Sequence, residues 1–111
     1  MDDPDLFYIG DDTFLRGAPC LLIIYTEEKY FRIPQWDAGI ASNTIDLAAQ
    51  TLGVATLMNG YFVVLANRYR SIRKLVQINR KHTILASMCL GYPDIRYRKT
   101  VFRRPLDVRI I

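Results

Sequence analysis

Two unbroken apolar runs and one long helical pattern dominate the distribution of hydrophobic residues along this chain. The runs cover residues 20–25 and 83–90, and short continuous runs of this kind are typical of strands that are covered on both faces. Between them, apolar residues recur at helical spacing from Asp37, a candidate cap, to Gly53, a candidate left-handed stop. We therefore predict a central strand at each run and a helix over residues 37–53.

The predicted helix is small and apolar on almost every face. One set of residues recurs at helical spacing: Ile40, Thr44, Leu47, Ala48 and Thr51. The other face carries a second set of small or apolar residues: Ala38, Ala41, Ser42, Ile45, Ala49 and Leu52. A helix that is apolar all round is normally buried. We expect this one to lie in the core or against a second subunit.

Shorter segments precede and follow this helix in the sequence. Residues 26–35 are polar and charged, with Pro34 near their end, and predict a loop. Residues 54–58 predict a short strand. The pair Asn59-Gly60 that follows predicts a turn, because both residue types tolerate positive φ.

Residues 62–78 predict one or two helices, with Asn67 and Ser71 as candidate caps. The apolar positions expected to face inward are Leu65, Ile72, Leu75 and Val76. The basic positions expected to face solvent or a partner are Arg68, Arg70, Arg73 and Lys74. At the end of the chain, Leu106, Val108 and Ile110 alternate with charged residues, which predicts a half-exposed strand at a sheet edge.

Charge divides the chain into two unlike parts. Residues 1–67 carry 3 Lys/Arg and 9 Asp/Glu, and residues 68–111 carry 12 and 2, so net charges of −6 and +10 sum to +4. The basic part suggests a phosphate-bearing cofactor, a nucleic acid or an acidic protein surface as partner, or simply a solvated basic face. Nucleic-acid binding through residues 68–81 and 96–104 rests on charge alone, and we disfavour it.

The length of 111 residues indicates one domain or part of one. We predict an acidic connector over residues 1–13 and a domain over residues 14–111. No apolar run is long enough to span a bilayer, and the acidic start differs from a secretory signal. These features predict a cytoplasmic location and no association with membranes.

Few residues offer chemistry of their own. His82 is the only histidine, at the expected start of a strand, and Gly-x-Ser-x-Gly, Gly-x-Gly-x-x-Gly and Walker motifs are missing. Cys20 and Cys89 lie in apolar runs without a Cys-x-x-Cys pair, which disfavours a disulfide or a metal site. A flavin would need no catalytic side chain, because its ring performs the redox step while nearby protein groups tune it. The glycine turn after a strand is compatible with such a cofactor, and equally with a purely structural turn.

Several strings resemble the C-terminal half of the nitroreductase family of FMN-dependent oxidoreductases. They are Gly-Ala-Pro-Cys-Leu-Leu-Ile-Ile from Gly17, Asp-Ala-Gly-Ile-Ala from Asp37, Leu-Ala-Ala-Gln-Thr-Leu-Gly-Val-Ala-Thr from Leu47, Gly-Tyr-Phe from Gly60, and Leu-Gly-Tyr-Pro from Leu90. The basic close, Tyr-Arg-Lys-Thr from Tyr97 with Arg103-Arg104-Pro105, is most similar to the branch in which a ferredoxin-like segment precedes the domain.

The resemblance implies an α+β fold, a three-layer α/β sandwich of which this chain holds the C-terminal part, in an intertwined homodimer. It implies FMN as cofactor and electron transfer from NAD(P)H or another donor to nitroaromatic or quinone-like acceptors. The implied flavin contacts are Met58, Asn59, Gly60 and Tyr61, with backbone amides at Gly60 and Tyr61 near N5 and O4 of the ring. The implied phosphate contact is Arg103, with Arg98, Lys99 and Arg104 as neighbours.

One departure from the family pattern is large. The N-terminal half, with its Arg-x-Ser-x-Arg motif, has no counterpart before Asp12. The resemblance therefore implies either a fragment or split subunit that another polypeptide completes, or a reduced member that dimerises without binding flavin well. The second alternative would be a non-catalytic dimerisation or interaction module that has lost the cofactor. The cysteines of the ferredoxin-like segment are also missing, so no iron–sulfur cluster is implied.

Overall fold

The computed structural model describes residues 15–27 and 33–111, so the predicted acidic connector lies outside the described residues. In chain order the elements are β1 (Cys20–Glu27), α1 (Pro34–Thr51), β2 (Ala55–Met58), α2 (Gly60–Arg68), α3 (Arg70–Leu75) and β3 (His82–Gly91). None of the described helices is both long enough and apolar enough to cross a bilayer.

The three strands form one antiparallel sheet in the order β1-β3-β2. Cys20 lies opposite Leu90 at one end of the β1–β3 pair, and Met58 lies opposite Met88 where β2 joins β3. Both apolar runs are strands, as predicted. Only β3 is central, however, because β1 pairs on one side alone among the described strands and its residues are half-buried or exposed.

Helices cover both faces of the sheet. On one face, Phe62 and Ala66 of α2 and Ile72 of α3 pack with Ile84 of β3 in a buried cluster. On the other face, the Thr56 hydroxyl of β2 donates a hydrogen bond to the carboxylate of Asp46 in α1. The register of β1 and β3 shifts between Ile24, which pairs with Ala86, and Tyr25, which pairs with Ile84, so this irregularity puts Ala86 on the opposite face from Ile84. Leu90, the partner of Thr56, shares the face of Ala86 because side chains alternate along a strand. The result is the predicted α+β arrangement of three layers.

Helix α1 begins three residues earlier than predicted. Pro34 takes the first helical position, where the missing N–H of proline costs nothing, and Asp37 lies in the first turn instead of capping it. The end is as predicted, because Gly53 has a φ of +71° and donates to the Gln50 carbonyl.

Burial of α1 is much less complete than predicted. Only Ala38, Ser42 and Ala49 are buried, while Ile40 and Leu47 are 69% and 56% exposed. These two residues belong to the same set of helically spaced positions. The single chain therefore covers one face of α1 and leaves the other apolar face in solvent.

Substitution of Gly53 tests the left-handed stop of α1. We expect Gly53→Ala to lower the free energy of unfolding by about 1 kcal/mol, because an L side chain is strained at positive φ. A Cβ at this position would meet no atom within 4 Å, so the cost is conformational and not steric. Gly53→Asn is the matched control, since asparagine tolerates this conformation and should recover much of the loss in urea unfolding. Equal losses for both variants would contradict the interpretation.

The segment after β2 differs from prediction at its caps. Asn59 has a φ of −119° and caps α2, whose first residue is Gly60, so the predicted turn with positive φ does not form. The two helices that follow are separated at Tyr69, which has an extended backbone and is the N-cap of α3. Neither predicted cap, Asn67 or Ser71, occupies that position.

Two side chains of this helical pair also differ from prediction. Leu75 is 44% exposed at the end of α3 and does not face the core. Arg73 is half-buried, and its guanidinium donates inward to backbone carbonyls instead of facing solvent. The other predicted positions hold, since Ile72 is buried and Arg68, Arg70 and Lys74 are exposed.

The end of the chain does not form the predicted edge strand. All residues of 92–111 are exposed and none belongs to a strand. Leu106 and Ile110 are 86% and 93% exposed, so the alternating pattern has no sheet to pack on in this chain. A strand requires a hydrogen-bonded neighbour, and the described part of the chain supplies none for this tail.

Candidate functional site

The junction between β2 and α2 presents exposed groups at a fixed position. Met58 ends β2 with 58% of its surface exposed, and Tyr61, in the first turn of α2, is 62% exposed. Between them, Gly60 is exposed, and a Cβ added there would meet no atom within 4 Å. The junction is thus an open surface with two large apolar side chains beside a backbone that lacks a side chain.

Buried Asn59 fixes the position of this junction through its hydrogen bonds. It is buried, its backbone N–H donates to the Ser87 carbonyl at 2.9 Å, and the Ser87 hydroxyl donates to the Asn59 carbonyl at 2.6 Å. Its side-chain oxygen accepts from the Phe62 N–H at 3.1 Å, and its amide nitrogen lies 3.5 Å from the Cys89 sulfur. Both ends of the residue are held, so the first turn of α2 has a defined position relative to β3.

The start of α2 provides polar groups suited to a flat acceptor. The first backbone N–H groups of a helix point out from its N-terminus, where they meet caps, water or ligands. Asn59 satisfies the N–H of Phe62. Beside Gly60 there is open space where a side chain would begin, and the exposed side chains of Met58 and Tyr61 are its neighbours.

A pocket of about 390 Å³ adjoins the junction on the α1 side of the sheet. Its lining joins α1 to β2 and consists of Gly39, Ser42, Asn43, Asp46, Thr56 and Met58. The hydrogen bond between Thr56 and Asp46 forms part of its wall. Met58 therefore belongs both to the exposed junction and to this pocket.

The three predicted phosphate contacts lie in the exposed tail that follows β3. Arg98, Arg103 and Arg104 are exposed residues of the tail, and none of them makes a hydrogen bond or an ion pair to another described residue. The four junction residues are contiguous, whereas the arginines depend on where the tail lies in an assembly.

The lone histidine and the two cysteines are not among residues 58–61, although the Cys89 sulfur contacts Asn59. His82 starts β3, as predicted, with its ring stacked on Tyr25 at 5.2 Å and Nε2 at 3.8 Å from a carboxylate oxygen of Glu27. Cys20 is exposed and Cys89 is buried, and both are free thiols. The described ranges contain no group of three His, Cys, Asp or Glu that could hold a metal.

Ser87 is the supporting residue that the sequence pattern did not indicate. It is 1% exposed in the middle of β3, inside the second apolar run. A buried hydroxyl must find a hydrogen-bond partner, so a serine in such a run signals a nearby backbone group. The sequence could not show that this group is the carbonyl of Asn59, 28 residues away.

Comparison with known proteins identifies the family and the fold. The model of the nitroreductase family matches residues 8–92, which include all six elements and the Met58–Tyr61 junction. The chain belongs to the nitroreductase family. No curated protein shows a significant match to it.

Three solved structures share the fold. A Desulfitobacterium hafniense nitroreductase with bound FMN is 25% identical, with a TM-score of 0.67 over 93% of this chain and 58% of its own. A Bacteroides fragilis nitroreductase with bound FMN is 22% identical, with a TM-score of 0.65 and coverages of 85% and 52%. An FMN-dependent nitroreductase from Clostridium difficile is 18% identical, with a TM-score of 0.57 and coverages of 90% and 66%. The chain thus spans between half and two thirds of their lengths.

Proposed function

We propose that this chain is an FMN-binding oxidoreductase domain of the nitroreductase type. The observation that carries the proposal is the family match over residues 8–92, which includes the open junction at Met58–Tyr61. Two similar solved structures contain FMN. The proposed reaction passes electrons from NAD(P)H or another donor to a small nitroaromatic or quinone-like acceptor.

The residues at the junction fit the edge of a flavin ring. Gly60 and Tyr61 would offer backbone amides to the ring, Met58 and Tyr61 would supply apolar contact, and buried Asn59 would hold the turn in place. When bound, FMN supplies the redox chemistry, which explains why the chain needs no catalytic side chain. The proposed role of Arg98, Arg103 and Arg104 is to neutralise the phosphate.

The site also needs more protein than one copy of this chain provides. The chain spans only 52% and 58% of the lengths of two solved relatives. In addition, the apolar residues Ile40 and Leu47 of α1 are exposed. We propose that the chain corresponds to the C-terminal half of the family, nearest to the ferredoxin-fused branch. We also propose that it works as an intertwined homodimer or with a completing N-terminal chain, in the cytoplasm.

Reconstitution with FMN tests the proposed function. The purified chain, alone and with a completing N-terminal chain, is incubated with FMN, desalted and examined for flavin absorption and fluorescence quenching. We expect retained flavin, and we expect Gly60→Val to weaken binding by about tenfold, because its side chain projects into open space where the ring would lie. Val64→Thr, at an equally exposed position of α2, should bind FMN normally. Colourless protein under both conditions would refute cofactor binding.

A second candidate function is a non-catalytic dimerisation module. The exposed apolar face of α1 favours it, because large apolar residues in solvent commonly mark a protein interface. Sedimentation with and without FMN separates the two functions. A stable dimer whose mass and stability are indifferent to FMN supports the module, whereas FMN-dependent stabilisation supports the flavoprotein.

A further inference from the structure

A basic pocket lies where α3 meets the turn that leads into β3. It has a volume of about 460 Å³, and we call it the α3 pocket after the helix that forms one wall. Seven residues line it: Arg70, Arg73, Lys74, Gln77, Ile78, Asn79 and Arg80. Four of the seven are cationic, and nothing in the proposed flavin chemistry uses them.

Among the residues that the structure describes, no carboxylate balances the positive charge of the α3 pocket. The sequence contains no Asp or Glu between Asp46 and Asp94. Within the described ranges the one ion pair joins Glu27 to His82, so Arg70, Lys74 and Arg80 have no carboxylate within 4 Å. Three solvent-accessible cations thus surround one concavity, and their mutual repulsion is relieved when an anion binds.

Arg73 adds a fourth charge that is fixed in place. Its Nε donates to the Ala66 carbonyl at 3.0 Å, and its Nη1 donates to the carbonyls of Asn79, at 3.0 Å, and His82. Its Nη2 donates to the side-chain oxygen of Asn67 at 2.8 Å. These partners are dipoles and not carboxylates, so the guanidinium keeps its full charge while losing its mobility. A preorganised cation attracts an anion without a further loss of side-chain entropy.

The negative end of α3 does not oppose this attraction. The carbonyls of its last turn accept from backbone N–H groups of the following turn, with Val76 bonded to Ile72, Gln77 to Lys74 and Ile78 to Arg73. Gln77 takes a φ of +57° to close this turn. The carbonyls of Ile72, Arg73 and Lys74 are therefore already paired, and side-chain cations dominate the pocket.

We propose that the α3 pocket binds the phosphate groups of a small, multiply charged anion, such as inorganic pyrophosphate or the diphosphate of a nucleotide. Its volume lies in the range of small-molecule pockets. Arginine and lysine are the side chains that bind phosphate oxygens best, as paired donors and as a point charge. Gln77 and Asn79 add amide groups at the rim.

The α3 pocket is separate from the proposed flavin site. It lies near the start of β3 at His82, whereas Met58 of the junction lies opposite Met88. Six residues of extended strand separate these two positions, a distance of about 20 Å. Anion binding here consequently stands or falls independently of FMN binding.

Calorimetric titration of the full chain with inorganic pyrophosphate, and separately with adenosine diphosphate, tests the proposal. We expect saturable binding of one anion per chain. Lys74→Gln and Arg80→Gln should each weaken it by about tenfold, because each removes one charged hydrogen-bond donor. Arg96→Gln and Arg109→Gln remove exposed cations of the tail and are the matched controls, expected to change affinity less than twofold. Circular dichroism verifies that all four variants remain folded.

Each outcome distinguishes a source or overturns the proposal. Equal affinity for both anions identifies free polyphosphate, and tighter binding of adenosine diphosphate identifies a nucleotide. If the tail controls lose as much anion affinity as Lys74→Gln and Arg80→Gln, the anion is attracted to the basic chain in general. That result would overturn the α3 pocket as a binding site. Binding of duplex DNA without saturable binding of either anion would overturn the proposal in favour of a nucleic-acid surface.

Discussion

Replacement of Arg73 by methionine should lower the free energy of unfolding by about 3 kcal/mol, the largest loss expected for any basic residue of α2 and α3. The guanidinium joins Ala66 near the end of α2, Asn79 in the turn and His82 at the start of β3. Methionine has similar length but leaves these carbonyls without a donor. Urea unfolding followed by circular dichroism measures the loss.

Two control variants distinguish the effect of losing these hydrogen bonds from the effects of losing charge or packing. Arg73→Lys keeps the charge but cannot reach four acceptors with a planar fork, so we expect it to recover less than half of the loss. Arg70→Met removes a neighbouring exposed cation and should change stability by less than about 0.5 kcal/mol. A loss for Arg70→Met that equals the loss for Arg73→Met would show that net charge, and not the hydrogen bonds, determines the effect.

Asn59→Ala should lower the free energy of unfolding by about 2 kcal/mol, of which the lost helix cap accounts for about half. The substitution removes the acceptor for the Phe62 N–H and the amide beside Cys89, both in a buried setting. If FMN binds at the junction, the same substitution should also weaken it, because the first turn of α2 loses its anchor. Thermal and urea unfolding give the first effect, and flavin titration gives the second.

Asn59→Asp is the informative companion variant. It preserves the capping oxygen, loses the amide donor and adds a negative charge at the N-terminus of α2, where the helix dipole favours it, so it should retain more stability than Asn59→Ala. Asn43→Ala, at an exposed position of α1, provides a background for asparagine substitutions and should be nearly neutral. An Asn59→Ala variant as stable as Asn43→Ala would remove the basis for treating Asn59 as the anchor of the junction.

The sequence predicts those features of the fold that depend on local pattern. Residues 20–25 and 83–90 were sufficient to locate two strands, and Gly53 marked the end of the long helix through its conformational freedom. Local pattern could not order the strands in the sheet, because a half-buried edge strand with an apolar sequence resembles a central one. The prediction of an edge strand from the alternating residues after Leu106 was wrong for the same reason. A strand needs a neighbouring strand, and local pattern does not specify one.

For the candidate site, too, local sequence indicated the contiguous residues but not the contacts between residues far apart in the chain. The resemblance drew attention to the contiguous residues 58–61, and the structure places them at one exposed junction. The contacts that fix this junction join residues far apart in sequence, as in the pair Asn59 and Ser87. Arg73 shows the converse case, because its helical position predicted a solvated charge, and only the meeting of α2, α3 and β3 provides its carbonyl partners.

The side chain of Asn67 limits where another strand can join the sheet. Its side chain donates to the Ile84 carbonyl at 2.8 Å and accepts from the Ile84 N–H at 3.1 Å, on a stretch of β3 that β2 does not reach. An amide bonded in this way imitates one residue of a neighbouring strand and occupies the backbone groups that such a strand would need. Strand addition beside the first half of β3 is thereby blocked. Any further strand, from this tail or from another copy, must join the sheet along the outer edge of β1 or of β2.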